Sequence, residues 1–144
     1  MKELTPEYVA GLVDGEGSFT VYVRNPEAKV LRSRRVVVEP KFYLKLVERD
    51  KEVLYALADF FKCGSVYFQK DTRLNRQNCY RYEVCRWSDL TDVIIPFFRK
   101  HELRLVSKKN DFELFVAMMS LLNEGAHKTA SGLSQLFELK QRMH

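Results

Sequence analysis

The stretch that decides the fold lies near the amino terminus and reads Tyr8-Val9-Ala10-Gly11-Leu12-Val13-Asp14-Gly15-Glu16-Gly17-Ser18-Phe19. Its first half is apolar, its middle alternates acids with glycines, and a strand-like alternation of apolar and polar residues follows. Because glycine tolerates a positive φ and stops a helical repeat, a short helix from Pro6 is expected to end at Asp14. A half-buried strand is expected to begin at Ser18. The pattern therefore predicts a helix that leads directly into a strand.

Gly11 lies inside the apolar part of this helix, where glycine costs roughly 1 kcal/mol relative to alanine. Close approach of two backbones is the usual reason for such a glycine. Ala10 and Gly11 would let a second helix pack at short range, and the chain shows only one helix of this kind. The second helix is therefore expected from another copy of the chain. The predicted dimer interface consists of Tyr8, Ala10, Gly11, Leu12 and Gly15.

Glu16 is expected just beyond the C-terminal end of the helix, where the helix dipole disfavours a carboxylate. A two-fold axis would bring two Glu16 carboxylates together, and like charges at short range must share a proton or bind cations. Hard divalent cations accept carboxylate oxygens, phosphate oxygens and water. Two acids beside a basic sheet favour a metal-dependent site that cleaves phosphodiesters. The alternative is that Asp14-Gly15-Glu16-Gly17 is only a turn with solvated acids.

Hydrophobic periodicity extends the prediction over the rest of the chain. The predicted elements are helix 6–14, strands 18–24 and 35–48, helix 50–61, strands 65–71 and 78–87, and helices 88–98, 108–123 and 131–143. Pro40, on the buried side of the second strand, indicates a bulge or a sheet edge. This order predicts an α+β fold in which helices cover one face of an antiparallel sheet and leave the other face open.

Length and composition limit the function classes. A chain of 144 residues has the size of one domain, so residues 1–144 are expected to form a single unit. The 46% of apolar and 30% of charged residues exclude disordered and fibrous classes. No membrane partner is expected, because no apolar stretch approaches roughly 20 residues, and no secretory signal is recognisable. Cys63, Cys79 and Cys85 form no CxxC pair, which indicates reduced thiols in an intracellular protein.

The net charge of +5 is concentrated in two segments. Residues 24–49 hold eight Lys or Arg against three acids and residues 62–87 hold six against two, whereas all other residues together carry −4. If both segments belong to one sheet, that sheet presents a basic face to a polyanion. Its outward residues mix cations, amides and hydroxyls, as suits reading of the DNA major groove. The predicted DNA-binding residues are Thr20, Tyr22, Arg24, Asn25, Arg32, Arg34, Lys41, Tyr43, Lys45, Tyr67, Gln69, Arg73, Asn75, Arg76, Gln77 and Arg81.

Residues 9–17 resemble the LAGLIDADG signature of homing endonucleases, with Glu16 at the position of the catalytic acid. Later segments are similar to weaker patterns of the same family: 42–61, 63–66, 107–112 and 124–133. The resemblance covers nearly the whole chain. It implies an αββαββα fold with a saddle-like antiparallel sheet, in the order that the periodicity predicts independently.

The resemblance also implies an activity. Members of this family cut both strands of double-stranded DNA across the minor groove, at long and partly palindromic sites, and those with one motif act as homodimers. Mg²⁺, or another hard cation such as Mn²⁺ or Ca²⁺, is implied at Glu16 and Gly15. Lys108 occupies the place of a catalytic lysine that assists the attacking water or the departing oxygen, although a solvated pair with Lys109 is the alternative. Leu46 stands near the place of a water-positioning glutamine, which leaves the water network unassigned.

Two other functions are open at this point. One is an intron maturase of the same fold, an RNA-binding splicing helper whose partner would be intron RNA. The other is a plain α+β binding protein, which does not explain Gly11 and Glu16 together. An acid at Glu16 favours the intron-encoded endonuclease. The expected location is the cytoplasm of a prokaryote, or an organelle if an organelle genome encodes the protein.

Overall fold

The computed structural model describes residues 3–27, 36–70 and 77–144. The strands are β1 (Gly17–Val23), β2 (Val38–Val47), β3 (Ser65–Gln69) and β4 (Cys79–Val84). The helices are α1 (Pro6–Glu16), α2 (Lys51–Phe61), α3 (Trp87–Asp89), α4 (Ile95–Lys100), α5 (Val106–Asn123) and α6 (Ala130–Gln141). A π-helical turn, Leu90–Ile94, joins α3 to α4, and a 3-10 turn, Ala126–Lys128, precedes α6. The element order is that of the predicted α+β fold.

Helix α1 continues two residues beyond the predicted end at Asp14, so Glu16 is its last residue and not a residue beyond it. The reason is that Gly15 stays helical, and positive φ occurs among the described glycines only at Gly64 and Gly125. Gly17 has extended backbone, with φ −81° and ψ 160°. The helix therefore passes straight into β1, and the carboxylate of Glu16 lies at the junction.

The four strands form one antiparallel sheet in the order β1-β2-β4-β3. Pro40 pairs with Val21 of β1, whereas the pairing of β2 with β4 begins only at Phe42. Pro40 thus lies where β2 has a single neighbour, so its missing N–H removes no bond to a second strand. The predicted sheet edge at Pro40 is confirmed locally.

An aromatic cluster fixes β1 against the helices. The ring of Phe19 lies 5.0 Å from that of Phe42 on β2, 5.6 Å from Phe98 on α4, and 5.2 and 5.5 Å from Phe112 and Phe115 on α5, centroid to centroid. Such pairs contribute about 0.5–1.5 kcal/mol each beyond the burial of their area. The cluster therefore holds the start of β1, and with it the end of α1, in a fixed position relative to α5.

No helix within the described ranges is both long enough and apolar enough to cross a lipid bilayer.

Gly132 is expected to be required for the docking of α6. A Cβ built on Gly132 would overlap the carbonyl oxygen of Ala126 and lie 2.7 Å from its carbonyl carbon, so the backbone would have to shift. The same turn is capped by Thr129, whose Oγ1 accepts the N–H of Gly132 at 3.0 Å. Gly132→Ala should lower the free energy of unfolding by about 2 kcal/mol. Urea denaturation measures the change.

Ser131→Ala is the matched control, because Ser131 is the exposed neighbour in the same turn. Its unfolding free energy should stay within about 0.5 kcal/mol of the parent. Equal stability of the Gly132 and Ser131 variants would contradict the close contact between α6 and the turn before it.

Candidate functional site

The C-terminal end of α1 brings together an acid and a lysine. Glu16 is exposed as the last residue of α1. Lys108 is half-buried in the first turn of α5, and its Nζ donates to the main-chain carbonyl oxygen of Gly17. An ammonium at the C-terminal end of a helix is electrostatically favourable. Lys109 is exposed and makes no such contact, so the two neighbouring lysines differ in their surroundings.

A second motif acid holds this arrangement in place. The carboxylate of Asp14 accepts the main-chain N–H groups of Arg104, at 2.8 Å, and Leu105, at 3.1 Å. These amides directly precede α5, whose N-cap residue offers no side-chain acceptor of its own. Asp14 therefore caps α5 from α1 and sets the position of Lys108. This contact could not be predicted from the sequence, because its partners lie 90 residues away.

The oxygen atoms at the end of α1 are suitable ligands for a hard cation. The carbonyl of Gly15 belongs to the last helical turn, whose oxygens lack intrahelical donors, and Glu16 adds an exposed carboxylate. All of these are oxygen ligands, as Mg²⁺ and Ca²⁺ prefer. In the described part of the chain, no three His, Cys, Asp or Glu residues cluster closely enough to bind a metal.

The exposed face of α1 is open in this chain. Val9 and Val13 are fully buried in the core, whereas Tyr8 is 48% exposed. A Cβ built on Gly11 or Gly15 would meet nothing within 4 Å. Packing inside the chain therefore does not require these two glycines.

The two remaining predicted interface residues are half-buried. Ala10 and Leu12 both flank the open face of α1, and Leu12 also packs against the core of its own chain. Leu12 therefore contributes to the core of its own chain as well as lying in the predicted interface.

The side of the sheet that points away from α4 and α5 forms an open face. Register places alternate residues of each strand on it, as in the row Ser18, Tyr43, Glu83 and Ser65. This face carries eight of the predicted DNA-binding residues: Thr20, Tyr22, Lys41, Tyr43, Lys45, Tyr67, Gln69 and Arg81. Sequence alternation alone was sufficient to place these eight residues on one face, and their contact with DNA stays a prediction.

The other predicted DNA-binding residues lie at strand ends or outside the described ranges. Arg24 directly follows β1, and its N–H donates to the carbonyl of Val37. The Oδ1 of Asn25 accepts the N–H of Glu27 at 3.0 Å, and Gln77 is exposed before β4. Arg32, Arg34, Arg73, Asn75 and Arg76 fall outside the described residues.

Sequence reasoning missed Glu83, an acid in the middle of the open face. Its Oε2 accepts from Tyr67 Oη at 2.9 Å and from Arg81 Nε at 2.8 Å. Its Oε1 accepts from Cys85 Sγ at 3.1 Å and lies 3.6 Å from Lys41 Nζ. One carboxylate thus binds three of the predicted DNA-binding residues. The alternation of residues along β4 predicts that Glu83 lies on this face with Arg81. The net charge of residues 62–87 does not reveal it, because a single acid is outweighed there by the cations.

The hydrogen bonds around Glu83 alter its titration and that of its neighbours. Burial alone would raise the pKa of Glu83, but the bonds from Cys85 and Tyr67 and the charges of Lys41 and Arg81 lower it. Burial and the bond to Glu83 raise the pKa of Cys85 to about 11. Glu83 is therefore ionised, and Cys85 is a protonated thiol, at neutral pH.

Sequence reasoning also missed Lys140. The sequence predicts a helix over 131–143 and assigns Lys140 no role, yet Lys140 reaches β1 and its Nζ donates to Thr20 Oγ1 at 2.9 Å. Both groups are partly buried. A helix from the end of the chain thus adds one cation to the β1 edge of the open face.

Comparison with known proteins agrees with the fold and with the α1 motif described above. The sequence model of the LAGLIDADG endonuclease family matches residues 9–119. "Probable intron-encoded endonuclease 2" of Neurospora crassa is 30% identical over 137 residues, which are 94% of this chain and 28% of that protein. The chain therefore spans little more than a quarter of the length of this relative.

Two solved structures share the fold. The homing endonuclease I-TnaI is 34% identical with a TM-score of 0.81, over 99% of this chain and 90% of its own. I-SmaMI, bound to an uncleaved DNA target in the presence of calcium ions, is 31% identical with a TM-score of 0.80, over 98% of this chain and 45% of its own. Because the family model matches residues 9–119, which include the motif of α1 with Glu16 as well as Lys108, the chain belongs to the LAGLIDADG endonuclease family.

Proposed function

We propose that this protein is a site-specific homing endonuclease, which makes a metal-dependent double-strand cut in a long, partly palindromic DNA site. One observation carries the proposal: Glu16 and Lys108 flank Gly17 at the point where α1 meets the open, cation-rich face of the sheet. An acid and a lysine beside a surface for phosphates suit phosphodiester hydrolysis.

In the proposed reaction, Glu16 and the carbonyl of Gly15 would hold a divalent cation beside the scissile phosphate. Such a cation, Mg²⁺ or a substitute such as Mn²⁺, neutralises phosphate charge and lowers the pKa of bound water. Water would attack phosphorus as the bond to the departing oxygen breaks, with the proton of the water released to solvent and a proton taken up by the departing oxygen. The ammonium of Lys108, held by the carbonyl of Gly17, is proposed to orient the water or to donate a proton to the departing oxygen.

We propose that the active form is a homodimer that meets through α1. The glycines of α1 have no role in packing within the chain, and an open glycine face allows two helices to approach closely. The chain covers 90% of I-TnaI but 45% of I-SmaMI, so two copies would match the extent of I-SmaMI. An isologous dimer reads two related half-sites, which is the reason for a partly palindromic target.

The open face and its strand ends are proposed to contact DNA through the predicted residues named above. Double-stranded DNA is thus the proposed partner, and the proposed location is inside the cell, in an organelle if its genome encodes the protein. The relative and the two structures described above are named as endonucleases and none as a maturase. No observation favours intron RNA as a partner.

Selection from a random DNA library tests the proposal. The protein is incubated with randomised duplexes in Mg²⁺, and the cleaved ends are sequenced. We expect one partly palindromic site, cut on both strands, with no product when EDTA removes the metal. Parallel incubation in Ca²⁺ shows whether a hard cation supports binding of the uncleaved site. An absence of cleaved product, together with retained binding of RNA, would refute the endonuclease and favour the maturase.

A further inference from the structure

The side chain of Arg81 is held from two directions on the open face of the sheet. Its Nε donates to Oε2 of Glu83 at 2.8 Å. Its guanidinium carbon lies 3.6 Å from the centroid of the Tyr43 ring, in a stacking contact. Only 17% of the Arg81 side chain and 12% of the Glu83 side chain are exposed. The guanidinium is therefore fixed in orientation before any ligand binds.

This fixation leaves the terminal amino groups of Arg81 available. Within the described ranges, Nη1 and Nη2 have no hydrogen-bond acceptor from the protein. Their fork of N–H donors matches the O6 and N7 acceptors that guanine presents in the major groove. An arginine already ordered by stacking and by a hydrogen bond loses less conformational entropy on binding than a free one.

Glu83 itself is poorly placed to read a base. Its Oε2 already accepts two hydrogen bonds, from Tyr67 and Arg81, and its Oε1 accepts one from Cys85. As a negative charge among Lys41 and Arg81, it also weakens the general attraction of this face for phosphates. Its contribution to DNA binding is therefore to orient its neighbours.

We propose that Glu83 is a positioning residue that fixes Arg81 as the reader of one guanine in each half-site of the target. This inference rests on the proposed function, since it concerns the DNA that the same open face would bind. It assigns a role in base specificity to an acid on a face whose predicted DNA-binding residues are otherwise cations, amides and hydroxyls.

The proposal separates two properties of DNA binding that a purely structural acid would change together. Loss of the Glu83 charge should weaken discrimination at one base pair and, at the same time, strengthen binding to unrelated DNA. Loss of a residue needed only for folding would weaken both. Weaker base discrimination together with stronger binding to unrelated DNA would therefore indicate a positioning role.

The test uses the full chain and a duplex library with randomised half-sites, bound in Ca²⁺ and sequenced after recovery. The wild type should select guanine at one position of each half-site. Glu83→Gln, which keeps the shape but removes the charge, should reduce that preference about tenfold. Its affinity for an unrelated duplex should be equal to that of the wild type or higher. Thermal unfolding verifies that the variant is folded.

Glu39→Gln is the matched control, because Glu39 lies on the same face and contacts Lys41 at 3.2 Å, but its position on β2 is six residues from Lys45, the residue opposite Arg81. It removes the same charge and should raise affinity for unrelated DNA without altering the guanine preference. Arg81→Lys keeps the positive charge but lacks the fork, and it should erase the preference at the same position as Glu83→Gln. If Glu83→Gln does not fold, an unchanged guanine preference in Arg81→Lys still overturns the proposal.

The outcomes separate the inference from the proposed function. If the wild type selects no site, the proposed function fails, and this inference fails with it. If it selects a site and Glu83→Gln or Arg81→Lys leaves every base preference unchanged, the inference alone is wrong. A change by Glu83→Gln at a position different from that of Arg81→Lys would show that Glu83 reads a base itself, which also overturns the positioning role.

Discussion

Glu16→Gln is expected to abolish DNA cleavage while DNA affinity changes little. The substitution keeps the size of the side chain but removes the anionic oxygen proposed to hold the cation at the scissile phosphate. Metal assistance contributes several kcal/mol to such reactions, which corresponds to a rate loss of about a thousandfold or more. Affinity depends mainly on contacts between cationic side chains and phosphates, and Glu16 is an anion that adds no such contact of its own. Single-turnover cleavage in Mg²⁺ and duplex binding in Ca²⁺ measure the two properties separately.

Glu52→Gln is the control for this experiment, because Glu52 is an exposed acid on α2, away from the α1–β1 junction. It should cleave at the wild-type rate. Cleavage by Glu16→Gln at the same rate as Glu52→Gln would remove Glu16 from the mechanism. Equal losses of cleavage and of binding would instead assign Glu16 a role in DNA binding or folding.

The elements and the faces of the sheet could be predicted from the sequence because their signals are local. Alternation in β1 and β2 depends on neighbouring residues, and burial of Phe19 and Phe42 on the helix side follows from it directly. The predicted end of α1 at Asp14 was wrong because it rested on the same kind of local signal, the glycines that flank Glu16. Glycine permits a positive φ but does not require it, and only the path of the chain into β1 decides.

The contacts that shape the site could not be predicted, because they join distant parts of the chain. Asp14 is recognisable as a motif acid, but its use as a cap for α5 depends on a loop 90 residues later. Lys140 looks like any solvated helix residue until α6 is placed against β1. Glu83 is an ordinary acid in a strand pattern, and only the register shows that it binds Arg81 and Tyr67.

Gly11→Leu is expected to separate the dimer without damage to the folded chain. Nothing lies within 4 Å of a Cβ at Gly11, and leucine is a better helix former than glycine, so thermal stability of the monomer should be unchanged or slightly higher. At the proposed interface the added side chain would prevent close approach of the two helices. Overpacking costs roughly 1–3 kcal/mol per site, and two-fold symmetry applies it twice. The dissociation constant should rise about a hundredfold or more, with double-strand cleavage lost at concentrations where the wild type is dimeric.

Ala117→Leu provides the matched control, because Ala117 is exposed on α5 and the substitution adds the same apolar side chain away from α1. Sedimentation velocity over a range of concentrations should show a monomer for Gly11→Leu and a dimer for the wild type and Ala117→Leu. Concentrated Gly11→Leu should recover part of its cleavage, since Glu16 and Lys108 are intact in every copy. A dimeric, fully active Gly11→Leu protein would contradict the proposed packing of α1 on α1. Loss of cleavage at all concentrations from a protein that is still dimeric would show that Gly11 acts on the catalytic geometry and not on assembly.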